Sequence, residues 1–152
     1  MKVTKYLTRS QINIELQAKD KQSVIQSLVN ILVEQRRLPQ DAVEGVMNAL
    51  MEREALTSTG LGYGVALPHV KTNEVKEISV AFGRSTKGID FDALDGNPVH
   101  FFFLILAPTK DNEEYLKTLS SISALMKDEK IRSSLFAIQS ADEIYKILDQ
   151  PL

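Results

Sequence analysis

The chain has 152 residues, carries a formal net charge of −2 at pH 7, and contains no cysteine and only 2 histidines. This length is typical of one domain whose core needs no disulfide or metal to stabilise it. The absence of cysteine excludes disulfide scaffolds, thiol catalysis, iron–sulfur clusters and thiolate zinc sites. The 18 basic and 20 acidic residues lack the basic excess of nucleic-acid-binding proteins, so we expect no nucleic-acid partner.

The apolar segments indicate a cytoplasmic protein with no direct membrane insertion. The longest apolar run, residues 99–107, is about half as long as a membrane-spanning helix. The first residues lack the apolar centre and the small-residue cleavage site of a signal peptide.

The amino-terminal part of the chain predicts a strand followed by a helix. Ile12, Ile14 and Leu16 alternate with polar residues, a pattern typical of a short strand with one buried face. Asp20 can cap the helix that follows. Apolar residues recur at helical spacing in this helix and are expected to face the core: Val24, Ile25, Leu28, Ile31 and Leu32.

A second helix and a glycine-rich segment come next. Asp41 and Glu44 have the spacing of a capping box, which predicts the start of a helix that ends near Arg53. The segment 57–69 follows and ends in Leu-Pro-His. It contains three of the seven glycines within five positions, which makes it the least regular part of the chain.

The middle of the chain predicts strands. Residues 78–82 alternate between apolar and polar, whereas residues 83–96 are rich in turn formers and hold at most one short strand around Ile89 and Phe91. Residues 99–107 are almost continuously apolar. Such a run is typical of a central strand that is covered on both faces.

Three helices are predicted to close the chain. Asp111 with Glu114 can cap the first, Asp128 the second, and Ser140 with Glu143 the third. The first of them is expected to bury Leu116, Leu119, Ile122, Leu125 and Met126. Helices before and after a sheet with one doubly covered strand predict an α/β fold: a mixed β-sheet flanked by helices on both faces, in a single domain spanning residues 1–152.

Familiar cofactor motifs do not fit the sequence. The glycines suggest a dinucleotide-binding loop, but the third glycine of G-x-G-x-x-G would fall at Val65. No Lys-Ser or Lys-Thr follows a glycine at the spacing of a phosphate-binding loop. Two widely separated histidines without cysteine make a poor metal site. We therefore expect no cofactor and no metal.

His69 is the strongest candidate for chemistry. Leu67 precedes a proline and is biased towards an extended backbone, and Pro68 has a fixed φ, so His69 follows a stiff segment. A histidine presented in this way can act as a general base, a ligand or a nucleophile towards phosphorus. The backbone N–H groups of Gly62 and Gly64 could approach an anion closely. Alternatively, His69 is only a turn residue and the glycines serve tight loops.

Three residues upstream and one downstream could complete such a site. Arg53, Ser58 and Thr59 could hold a phosphoryl group. Arg53 could equally be a solvated charge that the helix dipole favours. His100 interrupts the apolar strand, either as a hydrogen-bonded histidine near its start or as a residue beside His69 that steers its imidazole or the phosphoryl group.

The segment from Ser58 to His69, together with Glu-Arg-Glu at 52–54, resembles the active-site signature of enzyme IIA domains of the mannitol/fructose type. These domains belong to the bacterial phosphoenolpyruvate-dependent sugar phosphotransferase system, and the nitrogen-regulatory enzyme IIA proteins share the pattern. The resemblance extends over nearly the whole chain, including residues 95–99 and 140–143.

The resemblance implies a phosphotransferase with a phosphohistidine intermediate. His69 would accept a phosphoryl group at Nε2 from the histidine-containing phosphocarrier protein and pass it to an enzyme IIB partner. Arg53 matches the active-site arginine of the family, and Ser58 matches a hydroxyl position beside the phosphoryl group. Neither a metal nor a nucleotide is required for the transfer.

The chain departs from the family pattern at three positions. Tyr115 stands where many members carry a second active-site histidine, and its hydroxyl can donate to phosphate but cannot become cationic. Val70 replaces a common glycine. His100 occupies a position where relatives often carry aspartate, and we hypothesise that it supplies the missing imidazole.

Three functions remain open at this stage. The first is a phosphocarrier that feeds a sugar permease, and the second is a regulator whose phosphorylation state controls binding to a target protein. The third is a ligand-binding module that has lost transfer, against which His69 and Arg53 argue. Leu61, Tyr63 and Val70 are candidates for an apolar ring around His69 that contacts the phosphocarrier protein.

Overall fold

The computed structural model describes residues 1–150 and contains one six-stranded sheet between two layers of helices. The strands are β1 (Ile12–Asn13), β2 (Gly60–Gly62), β3 (Val65–Ala66), β4 (His69–Lys71), β5 (Ser79–Ile89) and β6 (Val99–Ala107). The helices are α1 (Lys21–Glu34), α2 (Val43–Leu56), α3 (Asn112–Met126), α4 (Glu129–Ala137) and α5 (Ala141–Leu148). This architecture confirms the predicted α/β fold.

Strand β6 lies at the centre of the sheet, and its pairing determines where the neighbouring strands lie. It pairs with β5 in the antiparallel sense on one side and with β3 and β4 in the parallel sense on the other. Ala66 of β3 lies opposite Phe102, and His69 of β4 lies opposite Ile105. Because β1 also pairs in parallel with β5, the sheet is mixed, as predicted.

The two faces of β6 belong to two separate cores, as its nearly continuous apolar character predicts. Phe102, Leu104 and Leu106 pack with the apolar side chains of α1 and α2. Phe101, Phe103 and Ile105 pack on the opposite face with side chains of α3, α4 and α5.

The predicted caps are correct for three of the five helices. Asp20 accepts a hydrogen bond from the Ser23 backbone at 2.9 Å, and Ser23 completes a capping box. Asp128 accepts from the Lys130 backbone, and Ser140 accepts from the Glu143 backbone. Each of these side chains satisfies an N–H group that has no partner within the helix.

The caps predicted for α2 and α3 are wrong. A 3-10 turn precedes each helix, so neither Asp41 nor Asp111 makes a side-chain cap bond. Helix α2 also continues to Leu56, three residues beyond Arg53. In α3 the inward residue is Tyr115, which is 6% exposed, whereas Leu116 is 56% exposed.

The prediction of a turn-rich segment over residues 83–96 is wrong for its first part, because β5 continues to Ile89 with a register shift between Arg84 and Ile89. Residues 90–98 contain neither helix nor strand. Gly83 is there for packing rather than turning, since a Cβ at this position would lie 2.7 Å from the side chain of Leu16. Leu16 itself lies beyond β1, which is shorter than the alternation suggests. The three short strands β2, β3 and β4 in the glycine-rich segment were not predicted.

Candidate functional site

His69 opens β4 at the carboxyl-terminal half of β6 and is half-buried. Its Nδ1 lies 2.5 Å from the backbone carbonyl oxygen of Leu67. A carbonyl oxygen can only accept, so Nδ1 carries the proton and donates it to this bond. In the neutral ring Nε2 therefore keeps a free lone pair.

The surroundings of His69 favour the neutral ring. Burial lowers the pKa of His69 from its ordinary value of 6.5, and the nearby cation of Arg53 lowers it further. The hydrogen bond to the Leu67 carbonyl and the negative charge of Glu54 act in the opposite direction without cancelling the effect of burial. At neutral pH the imidazole is thus a base and nucleophile rather than a cation.

Arg53 lies in the last turn of α2, where the helix dipole favours a cation. Its Nη1 donates to the carbonyl oxygen of Thr57 at 2.8 Å, just beyond the end of the helix. Its charge lowers the pKa of both His69 and Tyr115. Arg53 is therefore near enough to act electrostatically on both side chains.

Tyr115 reaches the site from the first turn of α3. Its ring centroid lies 6.0 Å from that of His69, and the two rings are tilted by 60°. Burial raises the pKa of Tyr115 to about 12, although the charge of Arg53 opposes this rise. The phenol keeps its proton at neutral pH and remains a hydrogen-bond donor.

Lys71 adds a second cation near Tyr115. It lies two residues after His69 on β4, and alternate residues of a strand share a face. Its Nζ lies 5.5 Å from the centroid of the Tyr115 ring and donates a hydrogen bond to the side chain of Asn112.

Ser58 and Thr59 have hydroxyl groups that are already engaged within their own loop. The Ser58 hydroxyl donates to the carbonyl oxygen of Phe91 and accepts from the N–H of Gly60, both at 3.0 Å. The Thr59 hydroxyl donates to Glu54. Both side chains hold the loop in shape, and neither hydroxyl proton is free for a phosphoryl group.

Two glycines that the sequence analysis assigns to the phosphoryl site lie away from His69 in the structure. Gly62 ends β2 and Gly64 lies in the turn before β3, and their φ angles are positive, at 101° and 75°. Gly64 lies five residues before His69 along a nearly extended chain, which corresponds to roughly 16 Å at the rise of a strand. The conformational freedom of these glycines allows the hairpin turn. The expectation that they support a phosphoryl group on His69 is wrong, because they lie too far from His69.

The expectation that His100 lies beside His69 is wrong for the same reason. His100 is near the beginning of β6, five residues before Ile105, the partner of His69. At the rise of a strand this separates the two histidines by roughly 16 Å. His100 is not brought to the site.

The ring of His100 instead packs against the backbone of Gly64 and Gly88. A Cβ at Gly88 would lie 2.8 Å from Cε1 of the His100 ring, and one at Gly64 would lie 3.4 Å from Cδ2. The ring donates from Nδ1 to the carbonyl oxygen of Ser85 at 2.8 Å and meets Phe136 edge-on with centroids 5.0 Å apart. These contacts give His100 a packing role.

The predicted apolar ring around His69 is not assembled either. Leu61 and Tyr63 lie on the β2–β3 hairpin at the end of the sheet that holds His100, where the Arg132 guanidinium stacks on the Tyr63 ring at 4.8 Å. Val70 is partly buried and packs against the core beneath α1 and α2.

Sequence reasoning missed a buried ion pair behind the site. Glu54, which is 4% exposed, lies 3.3 Å from Nζ of Lys21 and accepts hydrogen bonds from Thr59. The sequence contains one indication of this pair: the helix dipole disfavours an acidic residue such as Glu54 in the last turn of a helix, so a compensating cation is expected nearby.

Residues 1–150 show neither a metal site nor a membrane-spanning helix. No group of three or more histidine, cysteine or acidic side chains is arranged to hold a metal ion. No helix in this part of the chain combines the length and the apolar composition needed to cross a membrane.

The arrangement is suited to attack on an electrophile that brings negative charge. Nε2 of His69 offers a lone pair, Arg53 offers a cation, and Tyr115 offers a phenolic donor close to the ring. A phosphoryl group on Nε2 would carry about −1.5 to −2 charges, the kind of group that a guanidinium and a hydroxyl stabilise.

Comparison with known proteins agrees with this chemistry. Residues 5–150 match the family "Phosphoenolpyruvate-dependent sugar phosphotransferase system, EIIA 2". The chain is 38% identical over 150 residues to the fructose-specific EIIABC component of Bacillus subtilis, but it spans only 23% of that relative's length. It is 36% identical to the fructose-specific EIIA component of Haloferax volcanii, with 90% of this chain and 88% of the relative covered. It is also 36% identical to a nitrogen regulatory protein of Bradyrhizobium diazoefficiens, over 83% and 82% of the two chains.

Solved structures share the fold along nearly the whole chain. The nitrogen regulatory protein IIA-Ntr of Neisseria meningitidis superimposes with a TM-score of 0.87 and 34% identity, over 96% of this chain and 98% of that one. The enzyme IIA for mannitol from Escherichia coli, solved in complex with phosphorylated enzyme IIB, superimposes with a TM-score of 0.78 and 25% identity, over 93% and 96%.

Proposed function

The chain belongs to the EIIA 2 family of the phosphoenolpyruvate-dependent sugar phosphotransferase system, a family of phosphotransfer proteins, and on this basis we propose that it carries a phosphoryl group on His69. The donor is the histidine-containing phosphocarrier protein, and the acceptor is an enzyme IIB of a sugar permease. The observation that carries this proposal is the hydrogen bond from Nδ1 to the Leu67 carbonyl, which leaves Nε2 as the free nucleophile.

The transfer needs no proton acceptor. The lone pair of Nε2 attacks the phosphorus of the donor phosphohistidine, a new N–P bond forms, and the electron pair of the broken N–P bond returns to the donor nitrogen. The ring of His69 becomes more positive as its lone pair is used. The Leu67 carbonyl, which accepts from Nδ1–H, stabilises that charge.

Arg53 and Tyr115 would stabilise the phosphoryl group itself. Arg53 is a fixed cation that can form charge-assisted hydrogen bonds with phosphoryl oxygens. Tyr115 keeps its proton because its pKa is raised to about 12, so its hydroxyl can donate to the same group. We propose that Tyr115, rather than His100, takes the place of the family's second histidine, since only Tyr115 lies next to His69.

The experiment combines this protein with enzyme I, the phosphocarrier protein and labelled phosphoenolpyruvate. We expect stoichiometric label that is labile in acid and stable in alkali, as a phosphohistidine is. His69→Ala should abolish it. His100→Ala is the matched control and should keep it, because that histidine lies at the other end of β6. Absence of label in the wild-type protein, or loss of label with His100→Ala in a folded sample, would contradict the proposal.

A second candidate function is a regulator of the nitrogen-regulatory branch, whose phosphorylation state controls binding to a target protein. The specific observation in its favour is the superposition on the IIA-Ntr of Neisseria meningitidis at 34% identity. Passage of label onto a fructose-type enzyme IIB supports the permease function. Uptake of label without passage to any enzyme IIB from the same genome supports the regulator, and neighbouring permease or sigma-factor genes offer a quick further test.

A further inference from the structure

Two charged residues behind the site stand where their own helices disfavour them. Lys21 is the first residue of α1, at the positive end of the helix dipole, and Glu54 is in the last turn of α2, at the negative end. Local propensity therefore opposes both charges. Their contact with each other, at 3.3 Å between Nζ and Oε2, compensates for both.

This pair is removed from solvent and joins three parts of the fold. The Glu54 side chain is 2% exposed and that of Lys21 is 17% exposed. Nζ of Lys21 also lies 3.7 Å from Asp92 and 4.9 Å from the centroid of the Phe91 ring. The pair thus ties α1 and α2 to the loop that follows β5, and a buried pair of this kind is worth far more intact than broken.

The Glu54 carboxylate holds the backbone of the glycine-rich segment. Its two oxygens accept from the N–H of Thr59 at 3.2 and 3.3 Å, and the Thr59 hydroxyl donates to it as well. These hydrogen bonds attach Thr59 to the last turn of α2. The Thr57 carbonyl, which accepts from Arg53, lies in the short segment between Glu54 and Thr59.

Hydrogen bonds continue from Thr59 to the imidazole. The carbonyl oxygen of Thr59 accepts from the N–H of Leu67 at 3.1 Å, and the carbonyl oxygen of Leu67 accepts from Nδ1 of His69. Glu54, Thr59 and Leu67 each contact the residue before and the residue after them in this series. The series runs without a gap from Lys21 to the ring whose Nε2 is the nucleophile.

We propose that the Lys21–Glu54 pair is a positioning element for phosphoryl transfer, which acts through Thr59 and Leu67 to hold the ring of His69 in one tautomer and orientation. Neither residue of the pair touches the phosphoryl group. The proposal rests on the proposed function of His69, and it adds two residues that are distant in sequence from the Leu-Pro-His segment.

The test compares Glu54→Gln and Lys21→Met with the wild-type protein. Glutamine keeps an oxygen that can accept from Thr59 but loses the charge that binds Lys21. We expect the rate of phosphoryl uptake per folded molecule to fall about ten- to a hundredfold in either variant, since a small misplacement of a reacting group has an effect of this size. Lys21→Arg keeps a cation at this position and should therefore retain most of the wild-type rate, in contrast to Lys21→Met.

A matched control is Glu77→Gln. It breaks the exposed pair of Arg37 and Glu77, which has a similar separation of 3.2 Å but lies outside the site. This variant should keep the wild-type rate, because exposed pairs contribute little.

The second readout is the tautomer of His69, measured by nitrogen-15 NMR of the imidazole. The wild-type protein should show a single form protonated at Nδ1, and both variants should show a mixture with the Nε2-protonated form. A role in stability alone would change the folded fraction but neither the tautomer nor the rate per folded molecule. If both variants fold and keep the wild-type rate and tautomer, the proposal is wrong.

Two further outcomes are distinguishable. If Glu54→Gln fails to fold, Lys21→Met and Lys21→Arg decide the proposal by the same two readouts. If the wild-type protein accepts no phosphoryl group, the proposed function fails, and the tautomer of His69 in the variants still decides whether the pair positions the ring.

Discussion

A half-buried histidine lies near each end of β6, and Nδ1 of each donates to a backbone carbonyl. The groups that surround the two rings are different. His69 bonds to Leu67 and is surrounded by a cation and a phenol. His100 bonds to Ser85 and is surrounded by two glycines and Phe136. The hydrogen bond orients both rings. The groups around the free face of the ring distinguish a nucleophile from a packing residue.

The largest expected effect tests the cation of the His69 end. Arg53→Met should lower the rate of phosphoryl uptake about a hundredfold or more, as loss of one charge-stabilising donor does in other active sites. Arg53→Lys should recover part of this loss, because it restores the charge without the planar fork. Both are measured as single-turnover rates with the phosphorylated donor in excess.

Arg132→Met is the control at the other end. Arg132 also donates to a backbone carbonyl, that of Met126, and stacks on Tyr63. Its loss should leave the rate of uptake unchanged. Equal effects of the two methionine variants would remove the distinction between the two ends.

A smaller effect, on stability alone, is expected from the His100 end. Gly88→Ala places a Cβ 2.8 Å from the His100 ring and forces alanine to adopt a φ of +82°. We expect a loss of about 1–3 kcal/mol in the free energy of unfolding, measured by urea denaturation. The rate of phosphoryl uptake by the folded fraction should stay at the wild-type value. A folded Gly88→Ala protein with impaired transfer would show that the two ends are coupled.

The smallest effect concerns pH at the His69 end. Because the pKa of His69 is lowered from 6.5, the rate of uptake should fall as the pH is lowered, with its half-maximal value below pH 6.5, where Nε2 becomes protonated. The unfolded chain binds a proton at this residue before the folded protein does. The contribution of His69 to stability is therefore present above pH 6.5 and is lost as the pH falls towards the lowered pKa.

Rates at a series of pH values check the first part of this prediction. Unfolding free energies of the wild-type protein relative to His69→Ala check the second. A half-maximal rate at or above pH 6.5 would mean that burial does not dominate the environment of the ring.

Much of the fold was predictable because the patterns that encode it are local. The continuous apolar run of β6 predicts its central place in the sheet, and the caps at Asp20, Asp128 and Ser140 mark the starts of three helices. Gly83 was misread as a turn because a glycine that makes room for Leu16 looks no different in sequence from a glycine that turns the chain.

The candidate site was predictable only in part. The sequence by itself determined the segment that ends at His69, its resemblance to a phosphotransfer family, and the location of Arg53 in the last turn of a helix. It did so because neighbouring residues control the local backbone through proline, glycine and capping, over distances that a sequence pattern contains.

Only the tertiary structure decided which distant residues meet at His69. The pairing of β4 with the second half of β6 places His69 opposite Ile105 and so removes His100 from the site. The packing of α3 turns Tyr115 inwards, and the packing of α1 against α2 brings Lys21 to Glu54. Strand register and helix packing depend on the sum of many weak apolar contacts across the whole core, and no short segment of the chain carries that sum.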